Sequence, residues 1–330
     1  VTVALVVHGG AGVIPRGQLS AGGEARRRAV LAQARDAGAA VLRGGGAAID
    51  AVIEAVRVLE EAPEFNAGRG AVLNTRGQAQ HDASLMCGRR RGCGAVAAVT
   101  GVRSPIQLAR AVMDHSPHVL LVGADAVDFG RDQGLELQPA AWFVTPGRQR
   151  QLDRALERRA VVRDHDLFEE EDDRADAAAG ARSPAPGDGE GDDGSQGTVG
   201  AVALDQHGHL AAATSTGGMT GKLPGRVGDS AIVGAGTWAD DATCAVSATG
   251  HGEAFIRHHV AGRVADLIEL SGLGLAQATA RVISELPAES GGLIAIDAQG
   301  KIAMPMNCGG MYRAWLSGDG ATGTAIWEAD

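Results

Sequence analysis

One abrupt junction constrains this chain more than any other feature. Between Glu169 and Asp193 stand ten acidic and two basic residues, with Ser183-Pro184-Ala185-Pro186 among them; soon after begins Gly197-Thr198-Val199-Gly200-Ala201-Val202-Ala203-Leu204. The first stretch is too charged and too poor in apolar side chains to offset the entropy of ordering, which predicts a disordered acidic linker over 164–197. The second is an apolar run of strand character headed by a small hydroxyl residue. Any fold must therefore be assembled from two parts separated by an interruption.

Thr198 stands at that boundary. A hydroxyl is a weak nucleophile at its free pKa and needs an adjacent base. If Thr198 became a chain terminus, its own α-amine, with a reference pKa of roughly 7.7–8.0, would supply such a base near working pH. A threonine heading a strand is also simply a strand residue, and position alone leaves both readings open.

The rest of the chain reads as alternating strands and helices. Val3–Val7 is a buried strand closed by glycine, and the glycines at 9, 10 and 12 let backbone approach another segment closely. Val30, Ala34, Ala37 and Val41 share one helical face, as do Ile49, Val52, Ile53, Val56 and Leu59, with Gly44-Gly45-Gly46 between them as a stop. Ala95–Val99 and Val119–Val122 are expected strands bracketing a helix over Ile106–Met113, and Gln149–Arg163 is expected helical. Beyond the linker, Thr198–Leu204 and Leu210–Ser215 form a hairpin about Asp205-Gln206-His207-Gly208. Ile232–Ala235 and Cys244–Thr249 add strands, Glu253–Leu270 and Leu275–Leu286 are helical, and Gly292–Asp297 with Ile302–Met306 closes on a hairpin. Strands in both parts with helices grouped outside them argue for an α+β fold, sheets stacked between helical layers.

Several functions are excluded. The net charge of −10 resides mostly in the acidic stretch, whose ten acids and two bases sum to −8, leaving −2 for the remainder. With no basic surplus and few aromatics, nucleic-acid binding is ruled out; Arg89-Arg90-Arg91 is read as a solvated loop. Cys87, Cys93, Cys244 and Cys308 lack zinc-like spacing, and a Cys87–Cys93 disulfide runs against a reducing compartment. Gly217-Gly218-Met219-Thr220-Gly221-Lys222 is not a Walker loop, because three residues rather than four separate its glycines and Leu223 follows the lysine. Pro15 stands where a dinucleotide fingerprint needs its third glycine, and no Gly-x-Ser-x-Gly elbow occurs. No apolar run approaches the roughly 20 residues of a membrane span, and five apolar residues at the start are too few for a signal segment. A cytoplasmic protein is expected.

The motifs His8-Gly9-Gly10-Ala11-Gly12, Phe65-Asn66-Ala67-Gly68, Asp82-Ala83-Ser84, Gly197-Thr198-Val199-Gly200, Thr214-Ser215-Thr216-Gly217-Gly218, Leu223-Pro224-Gly225-Arg226-Val227-Gly228-Asp229, Thr249-Gly250-His251-Gly252-Glu253 and Gly309-Gly310-Met311-Tyr312-Arg313-Ala314 run in order over nearly the whole chain. Together they resemble the plant-type asparaginase / isoaspartyl peptidase family of N-terminal-nucleophile hydrolases. The resemblance implies a four-layer αββα sandwich, one domain over 1–330, self-cleaved between Gly197 and Thr198 into a 197-residue α chain and a 133-residue β chain. It also implies a dimer of such units, acting on L-asparagine and β-aspartyl dipeptides through a β-aspartyl-enzyme intermediate. The alternatives are a glycosylasparaginase-like amidase, or an uncleaved, non-catalytic binding protein of the same fold.

By the same resemblance Thr198 is the nucleophile, Thr216 its hydrogen-bond partner, and Thr249 with Gly250 the oxyanion hole. Arg226 and Asp229 take the α-carboxylate and α-amine of an aspartyl head group, chemistry that suits a planar guanidinium fork; an ion pair within their loop is the plainer alternative. Gly252 and Asn66 join them at the substrate. No catalytic cofactor is implied. A structural sodium would be held by backbone carbonyls of Leu59, Glu60, Ala62, Phe65, Ala67 and Arg69, although carbonyl ligation depends on backbone path and an irregular surface loop is the alternative. His81, Cys87 and Cys308-Gly309 depart from the commoner pattern, with consequences expected at the substrate rim.

Overall fold

A computed structural model describes residues 2–14, 19–166 and 197–328 (of 159–166, the backbone alone). Before the linker come β1 (Ala4–Gly12), α1 (Ala21–Arg43), α2 (Ala48–Glu61), β2 (His81–Cys87), β3 (Gly92–Val99), α3 (Pro105–His115), β4 (Leu120–Val122), α4 (Gly123–Asp132), α5 (Ala140–Phe143) and α6 (Pro146–Asp166). After it come β5 (Val199–Leu204), β6 (Leu210–Thr216), β7 (Thr237–Ala239), β8 (Cys244–Gly250), α7 (Gly252–His258), α8 (Val260–Ser271), α9 (Leu275–Ser284), β9 (Gly291–Asp297), β10 (Ile302–Ala303), β11 (Gly310–Leu316) and β12 (Thr322–Ala325). Helix α6 carries three residues into the stretch expected to be linker, Gly197 at its far end is buried, and 167–196 lies outside the described residues.

Eight strands form one sheet in the order β12-β11-β1-β5-β6-β2-β3-β4, and four form a second in the order β10-β9-β8-β7. Strand β1 lies between β11 and β5, antiparallel to both, so a strand from before the linker is flanked by two from behind it. Alternation along β1 divides its side chains between two cores. Leu5 and Val7 belong to the cluster shared with Leu31 of α1 and Val52 and Val56 of α2, whereas Ala4 and Val6 join Val202, Ala245 and Ile294, drawn from both sheets. β5 divides likewise, with Val199 and Ala201 on the helix side and Val202 and Leu204 on the other. Burial on both faces is why these strands read as unbroken apolar runs, and each large aliphatic so buried contributes about 1.5–3 kcal/mol. A third cluster joins Val246 and Leu293 of the smaller sheet to Phe255, Val264 and Val282 of α7, α8 and α9. The molecule is thus mixed α and β, with both sheets carrying apolar faces.

Four local expectations change. The buried face of α1 is Leu31, Ala34, Gly38 and Leu42, rotated from the one anticipated. Gly38 accounts for this: a Cβ there would lie 2.8 Å from both Ala51 O and Leu5 Cδ2, so the glycine lets α1 press onto α2 and β1. Ile232–Ala235 is a turn rather than a strand, with Asp229 O accepting from both Ile232 N and Gly236 N. The helix expected over Glu253–Leu270 is broken into α7 and α8 at His259, whose φ is +51°. Strands β2, β7, β11 and β12 and helices α4 and α5 stand where no element is expected from the sequence.

Candidate active site

Thr198 immediately precedes β5, at the end where that strand meets the glycines of β1. His8 pairs with Gly200 across the two strands, and the backbone of Gly10, at φ +115°, passes so near that a Cβ would fall 2.5 Å from Gly197 Cα. Only glycine fits there. On the other side Val199 pairs with Ser215, which brings Thr198 against Thr216 at the end of β6. Thr198 Oγ1 donates to Thr216 Oγ1 at 3.2 Å, and Thr216 Oγ1 also accepts from Gly218 N at 3.0 Å.

The third hydroxyl arrives from the smaller sheet. Thr198 N donates to Thr249 Oγ1 at 3.3 Å, and Ala11 N donates to the same oxygen at 3.2 Å. Thr249 is followed by Gly250 at φ +145°, where a Cβ would meet Ser290 O at 2.0 Å. Thr198, Thr216, Thr249 and Gly250, named from sequence, therefore converge. All three threonines are buried.

Beneath them runs a network that sequence reasoning missed. His8 Nε2 lies 2.9 Å from Ser247 Oγ, Ser247 Oγ 2.7 Å from Thr214 Oγ1, and Thr237 Oγ1 donates to Thr214 Oγ1 at 2.6 Å. Ser84 Oγ continues it, 2.8 Å from Thr237 Oγ1. These residues stand on β1, β8, β6, β7 and β2, so the network ties the two sheets together. Burial holds the His8 pKa down at about 3, which makes the imidazole neutral at neutral pH. Gly200 makes room: a Cβ would lie 2.1 Å from Ser247 Oγ and 2.5 Å from His8 Nε2. The glycine after Thr198-Val199 was the available signal, since a strand interior disfavours glycine unless something approaches closely.

Charged groups gather at the other end. Asp229 is buried, its Oδ2 has no hydrogen-bond partner among the described residues, and burial pushes its carboxyl up to about 7. Arg226 does not pair with it, so the alternative of an ion pair within the loop is corrected. Its guanidinium goes instead to Glu253, Nε to Oε1 at 2.9 Å and Nη2 to Oε2 at 2.8 Å. Gly252 stands between them, for a Cβ there would lie 2.9 Å from both Arg226 Nη2 and Asp229 Oδ1. Asp82 shapes the loop, accepting from Gly228 N at 3.2 Å and from Ala98 N at 2.8 Å, and it pairs across the sheet with Thr216. Nearby Lys222 is buried, donates to Gln80 O at 2.9 Å, and has its pKa lowered by burial. Asn66 reaches the Thr216 side of the site, donating Nδ2–H to Gly218 O at 2.7 Å and accepting from Val72 N at 2.9 Å.

The loop after α2 turns carbonyls inward. A Cβ on Gly70 would strike Phe65 O at 2.1 Å and Ala62 O at 2.9 Å, and one on Gly68 would strike Glu60 O at 2.3 Å. Neutral, hard oxygens gathered this way fit a hard cation, whereas no cluster of His, Cys, Asp or Glu among the described residues could hold a metal. The Glu60 side chain turns away from this loop. It is buried, accepts from Ser104 Oγ at 2.5 Å, Ser215 Oγ at 2.6 Å and Ile106 N at 3.0 Å, and burial raises its carboxyl to about 7.

Of the departures from pattern, His81 is not at any rim: it is fully buried, with Nε2 3.1 Å from Gly68 O. Cys87 lies at the opposite end of β2 from Asp82, and Cys308 Sγ is 3.3 Å from Gly310 O. All four cysteines are free thiols.

A protein-family model described as Asparaginase matches residues 1–326. An isoaspartyl peptidase of Salmonella typhimurium is 48% identical over 328 residues, covering 98% of this chain and 98% of its own. A probable isoaspartyl peptidase/L-asparaginase 2 of Arabidopsis thaliana is 40% identical, with 98% and 99% covered. A plant-type L-asparaginase of Pyrobaculum calidifontis is 41% identical, with 94% and 96% covered.

Proposed function

The chain belongs to the asparaginase family, and from that premise we propose that it is a threonine amidohydrolase, activated by self-cleavage, that hydrolyses L-asparagine and β-aspartyl dipeptides. One observation carries this reading above the others: the nitrogen and the hydroxyl of a single buried threonine are each met by another threonine hydroxyl, from two different sheets.

In the uncleaved chain Thr198 Oγ attacks the Gly197 carbonyl carbon. The new C–O bond replaces the peptide C–N bond, the hydroxyl proton passes to the departing nitrogen, and water hydrolyses the resulting ester. The freed α-amine is then the base. It takes the Thr198 hydroxyl proton as Oγ attacks the side-chain amide carbonyl, and returns it to the leaving amine. Thr249 Oγ–H and Gly250 N–H stabilise the oxyanion, and Thr216 orients the nucleophile. Water then releases aspartate from the β-aspartyl ester. Arg226 and Asp229 hold the α-carboxylate and α-amine of the head group, with Gly252 and Asn66 beside them. The layering of helices and two sheets is read as the αββα sandwich. The carbonyls of Leu59, Glu60, Ala62, Phe65, Ala67 and Arg69 are read as the cradle of a sodium ion that stiffens the loop and takes no part in bond making. The active form is read as a cytoplasmic dimer of cleaved units; among the described residues no helix is long and apolar enough to cross a membrane.

Denaturing mass spectrometry after prolonged incubation is expected to give fragments of 197 and 133 residues. L-asparagine and β-Asp-Leu should both be hydrolysed and α-Asp-Leu should not. Uncut chain, or turnover of the α-linked peptide alone, would overturn the reading.

A further inference from the structure

The guanidinium of Arg226 presents two edges, and the structure has already filled one. Nε and Nη2 are engaged by the two carboxylate oxygens of Glu253, at 2.9 and 2.8 Å. The remaining edge, Nη1 with the second hydrogen of Nη2, is bordered by two glycines. A Cβ on Gly228 would lie 2.9 Å from Nη1, and one on Gly252 would lie 2.9 Å from Nη2. The same Gly252 position borders Asp229 Oδ1 at 2.9 Å. The second edge of the arginine and the buried carboxylate therefore come together across Gly252, closer than a residue with a Cβ would allow. Arg226 by itself could turn either edge towards Asp229. The bidentate clamp removes that freedom and leaves one orientation.

Charge adds a second consequence. The hydrogen bonds from Arg226 hold the Glu253 carboxyl below the ordinary carboxylate value, so Glu253 is ionised at neutral pH. Glu253 then offsets most of the positive field of Arg226, and Asp229 contributes the charge that meets an ammonium. Without Glu253 the charges of Arg226 and Asp229 balance, where with it the negative ones prevail, and the change favours a simple carboxylate relative to one that carries an amine.

We propose that Glu253 is the positioning residue that aims Arg226 at the substrate's α-carboxylate and sets the preference of the site for a zwitterionic head group over a simple carboxylate. The proposal rests on the substrate class proposed above and adds to it the residue that enforces the class. Glu253 touches Arg226 and not the reacting atoms.

The test uses full-length, self-cleaved protein, with the cleaved fraction fixed by mass spectrometry. Wild type, Glu253→Gln and Glu253→Asp are assayed on L-asparagine, with L-aspartate and succinate (aspartate without its amine) as competitive inhibitors. For Glu253→Gln, KM should rise about tenfold while kcat per cleaved threonine stays within about twofold. The succinate-to-L-aspartate ratio of inhibition constants should fall about fivefold or more. Glu253→Asp keeps the charge and shortens the reach, so it should raise KM while leaving that ratio near wild type; it also carries the test if the glutamine variant does not fold. An unchanged or lower KM in both variants would mean that Glu253 only occupies the arginine until substrate displaces it, and would overturn the proposal. So would a raised KM with no change of ratio in Glu253→Gln, or a ratio that shifts equally in Glu253→Asp. Wild type that hydrolyses neither L-asparagine nor β-Asp-Leu would overturn the substrate reading itself, an outcome distinct from any change confined to the variants.

Discussion

The two ends of the site are built from different materials. Around Thr198 the groups in contact are hydroxyls and backbone N–H groups on the ends of strands: Thr216 on β6, Thr249 on β8 and the amide of Ala11 on β1. Around Asp229 they are ionisable side chains: Arg226 and Lys222 on the same loop, Glu253 on α7 and Asp82 on β2. The first end needs position more than charge. Neutral hydroxyls on paired strands have little freedom to move, and the buried, neutral His8 adds no net charge near the Thr198 nitrogen, the proposed base. On the proposed reading the second end offers a charge pattern that a small zwitterion can match, and the glycines let its charged groups come close together.

That contrast fixes what each substitution should do. Thr198→Ala removes the reacting oxygen, and self-cleavage and turnover should both vanish, a loss beyond about 10,000-fold; residual hydrolysis above that level would show that the hydroxyl end is not the seat of chemistry.

Asp229→Asn tests the charged end through pH. Unfolded, this carboxyl titrates near 3.8, while in the folded chain burial raises it to about 7. The folded state keeps a proton that the unfolded state has lost, so this group costs stability as pH rises from about 4 to about 7. The cost is at most about 4 kcal/mol. The asparagine variant lacks it. Its unfolding free energy in urea, relative to wild type, should therefore increase across that window and level off above it. His8 and His81, which slope the other way, cancel in the difference.

Arg226→Ala should raise KM for L-asparagine roughly 10- to 150-fold with little change in kcat, the equivalent of about 1.5–3 kcal/mol of charged hydrogen bonding. A fall in kcat alone would blur the division between the two ends. Gly200→Ala should act at the neutral end without touching substrate. Its methyl meets Ser247, His8 and the backbone oxygen of Ala213. Overpacking there should cost about 1–3 kcal/mol in chemical unfolding and slow self-cleavage while KM stays put.

Much of this was readable in the residues, unevenly. The buried strands β1 and β5 were found because burial on both faces makes an unbroken apolar run. Strand β2, His81–Cys87, was not, because its polar residues are satisfied from outside the strand: His81 by Gly68 O, Asp82 by backbone amides, Ser84 by Thr237. The break at His259 left no proline or glycine in place, and its left-handed turn is supported by the imidazole lying against Gly234 and Gly262. The three threonines were named from motif resemblance; nothing in their spacing along the chain says that they meet. Glu253 was read as a helix start. Its partner lies 27 residues earlier, a contact that local pattern does not encode.

The order of strands in the larger sheet carries one more consequence. Divided at residue 197, it reads as two strands of the second piece, one of the first, two of the second and three of the first, joined along three seams. With the bond cut as proposed, the smaller sheet belongs wholly to the second fragment, but neither fragment owns the larger one, and hydrogen-bonded ladders clasp the two together. Folding of the precursor is an event within one molecule, whereas reassembly of the cut protein requires two molecules to find each other. Cleavage would thus act as a ratchet: the precursor refolds on dilution from denaturant at a rate independent of concentration, and the mature protein, once taken apart, does not return at the same pace.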